Sequence, residues 1–260
     1  MILSICIPTY NRLPYLRELI GVLEPQISKM NSDDVELVVS DNSSTDGTST
    51  YLASLDIPNF RFWTNEANVG GDRNFLKCVA EARGEYVWLF GDDDIMPDGI
   101  IGKVVDFLRE NRPSLLISGN DDVPCMLYND YCAMVKEIGD NIVLSHTLIS
   151  ANVFKRELFD VSLAEKTLWV QYAHMFGMMA NMTNRKVGVM PNIVNTRPAR
   201  ACFAKYPSCL CVKQAVYLWW LADRFGMSCF YWRAVRNACN LPVEYASRIW
   251  NWGKGKICHV

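Results

Sequence analysis

Four short apolar runs follow one another in the first part of the chain, and a polar loop stops each of them. Ile2 to Ile7 ends in PTYNR, Val35 to Ser40 in DNSSTDGT, Asn59 to Thr64 in NEANVGGDRN, and Glu85 to Phe90 in GDDD. Short apolar runs bounded by turn residues read as strands buried on both faces, the pattern of a parallel sheet. Leu13 to Ile27 spaces Leu16, Leu19, Ile20 and Leu23 at helical intervals, and Gly70 to Ala82 reads as a second helix. Alternating strands and helices predict an α/β fold built on a mostly parallel, doubly wound sheet with right-handed crossovers. All four polar loops then leave the carboxyl ends of their strands, the edge at which open α/β sheets bind ligands.

Further along, a helix is expected from Pro97 to about Asn111 and a strand from Ser114 to Gly119. Short strands and turns through Ser150 suggest an antiparallel extension of the sheet. Residues 166–183 read as a helix, Lys186 to Pro191 as a strand, and 207–251 as two or three amphipathic helices. The division that follows is a nucleotide-binding and catalytic part at 1–200 and a helical part at 201–260. At 260 residues and 50% hydrophobic content, the chain can bury a sizeable core. No apolar run reaches the roughly 18 to 20 residues of a membrane span, and ILSICI is short for a signal peptide, so a cytoplasmic protein is expected. Ten cysteines without metal-ligand spacing read as reduced thiols.

The net charge of -2 conceals an asymmetry. Residues 197–260 hold 10 Lys and Arg against 2 Asp and Glu, a net of +8, and residues 1–196 hold 16 against 26, a net of -10. The basic part also carries Trp219, Trp220, Trp232, Trp250 and Trp252. Basic residues mixed with aromatics suit an anionic membrane surface or lipid-linked ligand; a helical subdomain with its tryptophans packed inside fits the same composition. Nucleic acid is disfavoured because the acidic remainder repels it.

Asp92, Asp93 and Asp94 end a hydrophobic strand. Carboxylates this close repel and raise one another's pKa, so they need a cation or free access to water. In an extended backbone Asp92 and Asp94 point to the same side and offer two hard oxygen ligands for Mg²⁺ or Mn²⁺, with room for phosphate oxygens. An acidic turn before the helix near Pro97 is the alternative.

The motifs SICIPTYNR, VVSDNSSTDGT, NVGGDRN and YVWLFGDDD, in this order and spacing, resemble family 2 glycosyltransferases of the GT-A type, in particular bacterial members that build O-antigen and capsule. The resemblance covers residues 1 to about 200. It implies a metal-dependent, hexosyltransferase-like enzyme with a nucleoside diphosphate sugar donor and a glycan acceptor, lipid-linked and met at the cytoplasmic face of the inner membrane. Carried over by position, Pro8, Thr9 and Tyr10 line the nucleotide base with Arg12 nearby. Asp41 accepts a hydrogen bond from a pyrimidine, unless it serves as a helix cap or Asx-turn, a role open to Asp46 as well. Asn68 and Gly70 belong to the loop that approaches the donor. Arg73 anchors a phosphate or holds Asp92. Asp94 is the direct metal ligand; Asp92, beside Asp93, makes a ribose or water-mediated contact. Arg197, Arg200 and Lys205 are expected over the pyrophosphate or at a membrane.

The chain departs from the family where inverting members place an acidic base. TLWVQYAHMFGMMANMTNRKVGV contains no carboxylate. His174, a helical turn after Gln171, is the titratable group at that place, as base or as further metal ligand. Asp121, Asp122 and Asp160 are other acids. A retaining enzyme, a nucleotidyltransferase and a non-catalytic nucleotide- or glycan-binding relative remain alternatives.

Overall fold

The computed structural model describes residues 1–139, 142, 148–170, 173–195, 217, 218, 220, 221 and 223–226. Its strands are β1 (Leu3–Thr9), β2 (Val35–Asp41), β3 (Phe60–Thr64), β4 (Tyr86–Leu89), β5 (Leu115–Gly119), β6 (Met126–Tyr128), β7 (Asn152–Lys155) and β8 (Val187–Pro191). They form one sheet in the order β3-β2-β1-β4-β7-β5-β8-β6. The first four run parallel. β7 is antiparallel to both β4 and β5, β8 is parallel to β5, and β6 closes the edge antiparallel to β8.

Side-chain alternation along β1 shows how the sheet is covered. Leu3, Ile5 and Ile7 enter one core with Leu16, Leu19, Ile20 and Leu23 of helix α1 (Leu13–Ile27) and with Ile101, Val104 and Val105 of α4 (Ile100–Asn111). Cys6 enters the opposite core with Leu76 and Val79 of α3 (Gly71–Glu81). Met134 of α5 (Tyr131–Ile138), Ala164 of α6 (Val161–Lys166) and Phe176 of α7 (Ala173–Met179) complete that side. Each fully buried Leu, Ile or Phe contributes about 1.5–3 kcal/mol, so the two faces carry most of the stability.

The mostly parallel sheet with antiparallel strands is the expected fold class, and α1 occupies the expected residues. Three local readings differ. DNSSTDGT is followed by a short helix, α2 (Thr48–Ala53), which buries Thr48 and Leu52. Asp46 caps this turn, accepting from the Thr48 N–H and hydroxyl, and its other oxygen accepts from the Leu13 N–H that opens α1. Residues 120–139 hold one short strand and a helix, and the antiparallel strand inside the sheet is β7, a four-residue segment too short to show a period. The helix expected at 166–183 is divided: α6 lies before it, a 3-10 turn spans Leu168–Val170, and α7 follows.

Tyr217, Leu218, Trp220 and Leu221 join the core on the α3 side, Trp220 packing 4.9 Å from Phe176 between ring centroids. For Trp220 this is the packed-inside arrangement. Trp219, Trp232, Trp250, Trp252 and nearly all of the predicted 207–251 helices lie outside the described residues. Among the described residues no helix is long and apolar enough to cross a membrane.

Candidate active site

The strand order reverses direction between β1 and β4. Neighbouring parallel strands whose crossovers leave to opposite sides open a crevice at their carboxyl ends, the switch point of doubly wound sheets. β1 and β4 are in register from Leu3 opposite Tyr86 to Cys6 opposite Leu89, so the loops after them emerge side by side. There the Thr9 hydroxyl donates to Asp92 Oδ2 at 2.7 Å. A cleft of ≈ 460 Å³ opens over this contact, lined by Pro8, Thr9, Tyr10 and Arg12 from the first loop and Asn42 from the second. Asn68, Gly70, Gly71, Asn74 and Phe75 come from the third, and Gly91, Asp92, Asp93 and Ile149 complete the wall.

The three carboxylates do not form an extended ladder. Asp94 N–H donates back to the Gly91 carbonyl at 3.2 Å, so GDDD is a turn, and Asp92 and Asp94 diverge. Asp92, 4% exposed, is held by Thr9 and by Arg12 Nη1, which donates to Oδ1 at 3.0 Å. The same guanidinium nitrogen lies 2.8 Å from Asp93 Oδ2. Asp94 turns the other way, and its Oδ2 accepts from the Ser150 hydroxyl. Burial pushes the Asp92 carboxyl above the ordinary range, against the pull of Arg12 and Thr9. Asp94 is pushed up to about 6, first by burial and then by Asp93 and Asp92, with Ser150 opposing. Arg12 pairs with two of the three acids, Asp92 and Asp93.

The third loop is fixed by amides. Asn42 Oδ1 accepts from Asn65 Nδ2 and the Val69 N–H, both at 3.0 Å, and Asn42 Nδ2 donates to Asn68 Oδ1 at 2.8 Å. Asn74, 2% exposed, accepts from Ser40 and Asn65 and donates to the Ser40 carbonyl. Gly70, at φ 87° and ψ 159°, adopts a conformation essentially restricted to glycine. It brings the first turn of α3 to the cleft, where unpaired helical N–H groups and the positive end of the dipole favour an anion.

Several expected residues lie elsewhere. Asp41 is fully buried and outside the cleft lining, with donors on both oxygens: Ser44 N–H of its own loop to Oδ1 at 3.0 Å and the Thr64 hydroxyl at the end of β3 to Oδ2 at 3.3 Å. The bond to the Ser44 N–H, three residues on, is a local side-chain-to-backbone link that fixes the second loop. Arg73 does not hold Asp92; it lines a separate groove with Leu76, Lys77, Val161 and Glu165, and Arg12 is the partner of Asp92. His174 is 6% exposed and packs edge-on behind the cleft residue Phe75, with ring centroids 5.7 Å apart. Burial drives its pKa down to about 3, so at neutral pH it is an uncharged imidazole behind the wall, in conflict with a base in contact with an acceptor. Asp160 caps α6 through the Leu163 N–H at 2.8 Å, Asp121 accepts from Asn192, and Asp122 lines another cavity with Tyr128 and Glu137. Gln171, Arg197, Arg200 and Lys205 lie outside the described residues. The chain nevertheless passes the acidic turn just before Arg197, since Asn195 and Ile95 exchange backbone hydrogen bonds at 2.8 and 2.9 Å.

Asn42, Asn65, Asn74 and Ser150 escape sequence reasoning. Asn42, Asn65 and Asn74 stand in the polar loops that end the strands, a faint signal. Ser150 has none.

A divalent cation fits this turn in one form. Among the described residues no group of three His, Cys, Asp or Glu side chains forms a cage. Asp92 is already occupied on both oxygens, whereas Asp94 is a buried carboxylate short of positive charge, with one oxygen engaged by Ser150. That donor set suits Mg²⁺ or Mn²⁺ taking one or two protein carboxylates and completing its shell from phosphate oxygens and water.

The family model for glycosyl transferase family 2 matches residues 4–148. Abequosyltransferase RfbV of Salmonella typhimurium is 30% identical over 206 residues, 69% of this chain and 61% of that protein, so the chain spans less than two thirds of this relative's length. Among solved structures, S. aureus TarS 1–349 in complex with UDP-GlcNAc matches with a TM-score of 0.63 at 16% identity, over 84% of this chain and 66% of that one. The mannosyltransferase PcManGT from Pyrobaculum calidifontis, in complex with GDP-Man and Mn²⁺, matches with a TM-score of 0.62 at 16% identity, over 98% and 75%. These likenesses carry the fold, and the family match carries the assignment: the chain belongs to glycosyl transferase family 2.

Proposed function

We propose that this chain moves a sugar from a nucleoside diphosphate sugar to a hydroxyl of a glycan, with the donor in the cleft over Thr9 and Asp92. The supporting observation is that a helix N-terminus and a turn of three acids, two of them paired with a single arginine, meet at one switch-point cleft. The first can hold a phosphate and the second calls for a cation. In the reaction, the bond from the anomeric carbon to the diphosphate oxygen breaks, a bond to the acceptor oxygen forms, and the acceptor hydroxyl gives up its proton. The departing nucleoside diphosphate gains negative charge, and a divalent cation held at Asp94 would supply Lewis-acid neutralisation there.

The chain's own residues divide the remaining work. Pro8 and Tyr10 flank the base, and Asn68 borders the nucleotide. The first-turn amides of α3 face the diphosphate. Arg12 and Thr9 hold Asp92 toward the ribose, while Asp94 carries the cation. Arg197 and Arg200 follow Asn195 and, in this reading, close over the diphosphate. The acceptor proposed is a lipid-linked precursor of a surface polysaccharide at the cytoplasmic membrane face, a reading supported by the basic, aromatic composition of residues 197–260.

A ligand that binds only the folded state raises stability by about 2.7 kcal/mol at a hundred times its Kd, a shift of several degrees in Tm. We expect such a shift with one nucleoside diphosphate in a panel, larger with Mn²⁺ than without, followed by release of nucleoside diphosphate from its sugar. Release of pyrophosphate would assign nucleotidyl transfer instead, and the absence of a shift with every nucleotide would refute the donor site.

A further inference from the structure

We infer that Ser150 is a positioning residue that aims Asp94, acting on the carboxylate from beneath the turn. The inference rests on the reading that Asp94 carries the donor's cation. Ser150 is fully buried in the 3-10 turn Ile149–Ala151 that leads into β7, and three hydrogen bonds fix it. Its carbonyl accepts from Trp88 Nε1 at 2.8 Å, which ties the turn to β4. Its hydroxyl accepts from the Gly91 N–H at 2.7 Å and meets Asp94 Oδ2.

The direction of the last bond follows from chemistry. A backbone N–H is a donor only, so the hydroxyl oxygen must accept from Gly91, and its single proton is left for Asp94. A carboxylate that receives this proton on Oδ2 is locked in rotation and presents Oδ1 as its ligand atom. Gly91 makes room for the arrangement, because a Cβ there would stand 2.8 Å from Asp94 Oδ2. Residues that hydrogen-bond a ligating carboxylate typically contribute 10- to 100-fold in metal affinity or activity.

The test is Mn²⁺ binding to the full chain, read from the electron paramagnetic resonance signal of free Mn²⁺, with UDP, CDP and GDP in parallel. Ser150→Ala is expected to weaken Mn²⁺ binding by about 10- to 100-fold, Ser150→Thr to regain most of it through the retained hydroxyl, and Asp94→Asn to abolish it. Should Ser150→Ala fail to fold, Ser150→Cys, which keeps the volume and exchanges the hydroxyl for a weak thiol donor, is expected to weaken Mn²⁺ binding likewise. Wild-type affinity in folded Ser150→Ala, or in Ser150→Cys where that variant stands in, with Asp94→Asn inactive in binding, would overturn the role of Ser150 and leave the metal reading standing. A wild-type chain that binds no Mn²⁺ with any of the three nucleotides would remove both.

Discussion

Two buried acids, Glu36 in β2 and Asp94 after β4, are each reached by a relay of the same form that starts from a glycine flanking β4. Before the strand, the Gly84 N–H donates to Ser4 Oγ at 2.8 Å, and Ser4 donates to Glu36 at 2.5 Å. After the strand, the Gly91 N–H donates to Ser150, and Ser150 to Asp94. At Glu36 the supply of donors continues, with the Arg83 N–H at 2.7 Å and Arg61 through Nε and Nη2 at 3.2 and 2.9 Å. Burial alone would raise the Glu36 pKa, but these donors outweigh it and hold the carboxyl below its ordinary value. Asp94 has the serine and two neighbouring acids, and it is pushed up to about 6. A glycine–serine relay therefore fixes a carboxylate without deciding its charge balance. The acid that is fully supplied is tied into the sheet, and the acid left short lies buried beneath the turn, behind the cleft residues Asp92 and Asp93.

The largest expected effect tests the functional end. Asp94→Asn should lower kcat/KM by on the order of 10³-fold, the loss of one strong electrostatic contact to the leaving group, with Tm unchanged. A sharp drop in Tm with turnover retained would make Asp94 a structural acid like Glu36 and erase the contrast. At the other end, Glu36→Ala should cost about 3–5 kcal/mol of stability, because it strands Arg61 beside a polar cavity, while turnover per folded molecule stays near wild type. The pH dependence gives the sign. A depressed pKa contributes stability that is present above the ordinary glutamate value of about 4.3 and is lost as pH falls through the folded value. Denaturant unfolding should show the wild type losing this increment below pH 4.3 or so, and Glu36→Ala lacking it throughout. A third buried group sharpens the comparison by asking whether burial alone marks a catalytic residue. His174→Ala should cost about 2 kcal/mol through loss of packing behind Phe75 and change kcat less than tenfold; a much larger fall in kcat, with donor binding intact, would return it to the catalytic set.

How much of this could be read from residues alone depends on the range of the interaction. β1, β2 and α1 are written in runs of Leu, Ile and Val whose period is local, and the convergence of four loops on one edge follows from strand polarity. The identity of the arginine beside Asp92 does not. Arg12 sits in the first loop and Arg73 in the first turn of α3 at the same edge, and which of the two turns inward depends on the face of α3 to which Arg73 belongs. Asp41 illustrates a related limit, since Ser44 and Thr64, from separate segments, each take one of its oxygens once β2 and β3 pair. The rule that alternate residues share a side fails at GDDD because the backbone there is a turn. Ser150 is illegible for a simpler reason: serine is common, and its meaning comes wholly from Gly91 and Asp94, which meet it only through the pairing of β4 with β7.

The exchange of hydrogen bonds between Ile95 and Asn195 has a consequence for the order in which the molecule is completed. The stretch that matches the family model stops at residue 148, ahead of both Ser150 and Asn195. Contacts between distant segments form only after the loops between them have closed. The acidic turn is therefore synthesised early and secured late, first by the serine before β7 and finally by the asparagine after β8. A fragment ending at 148 would keep every residue of the GDDD motif and lose two of the tethers that shape it, so motif possession and site assembly are separate events in the life of this chain.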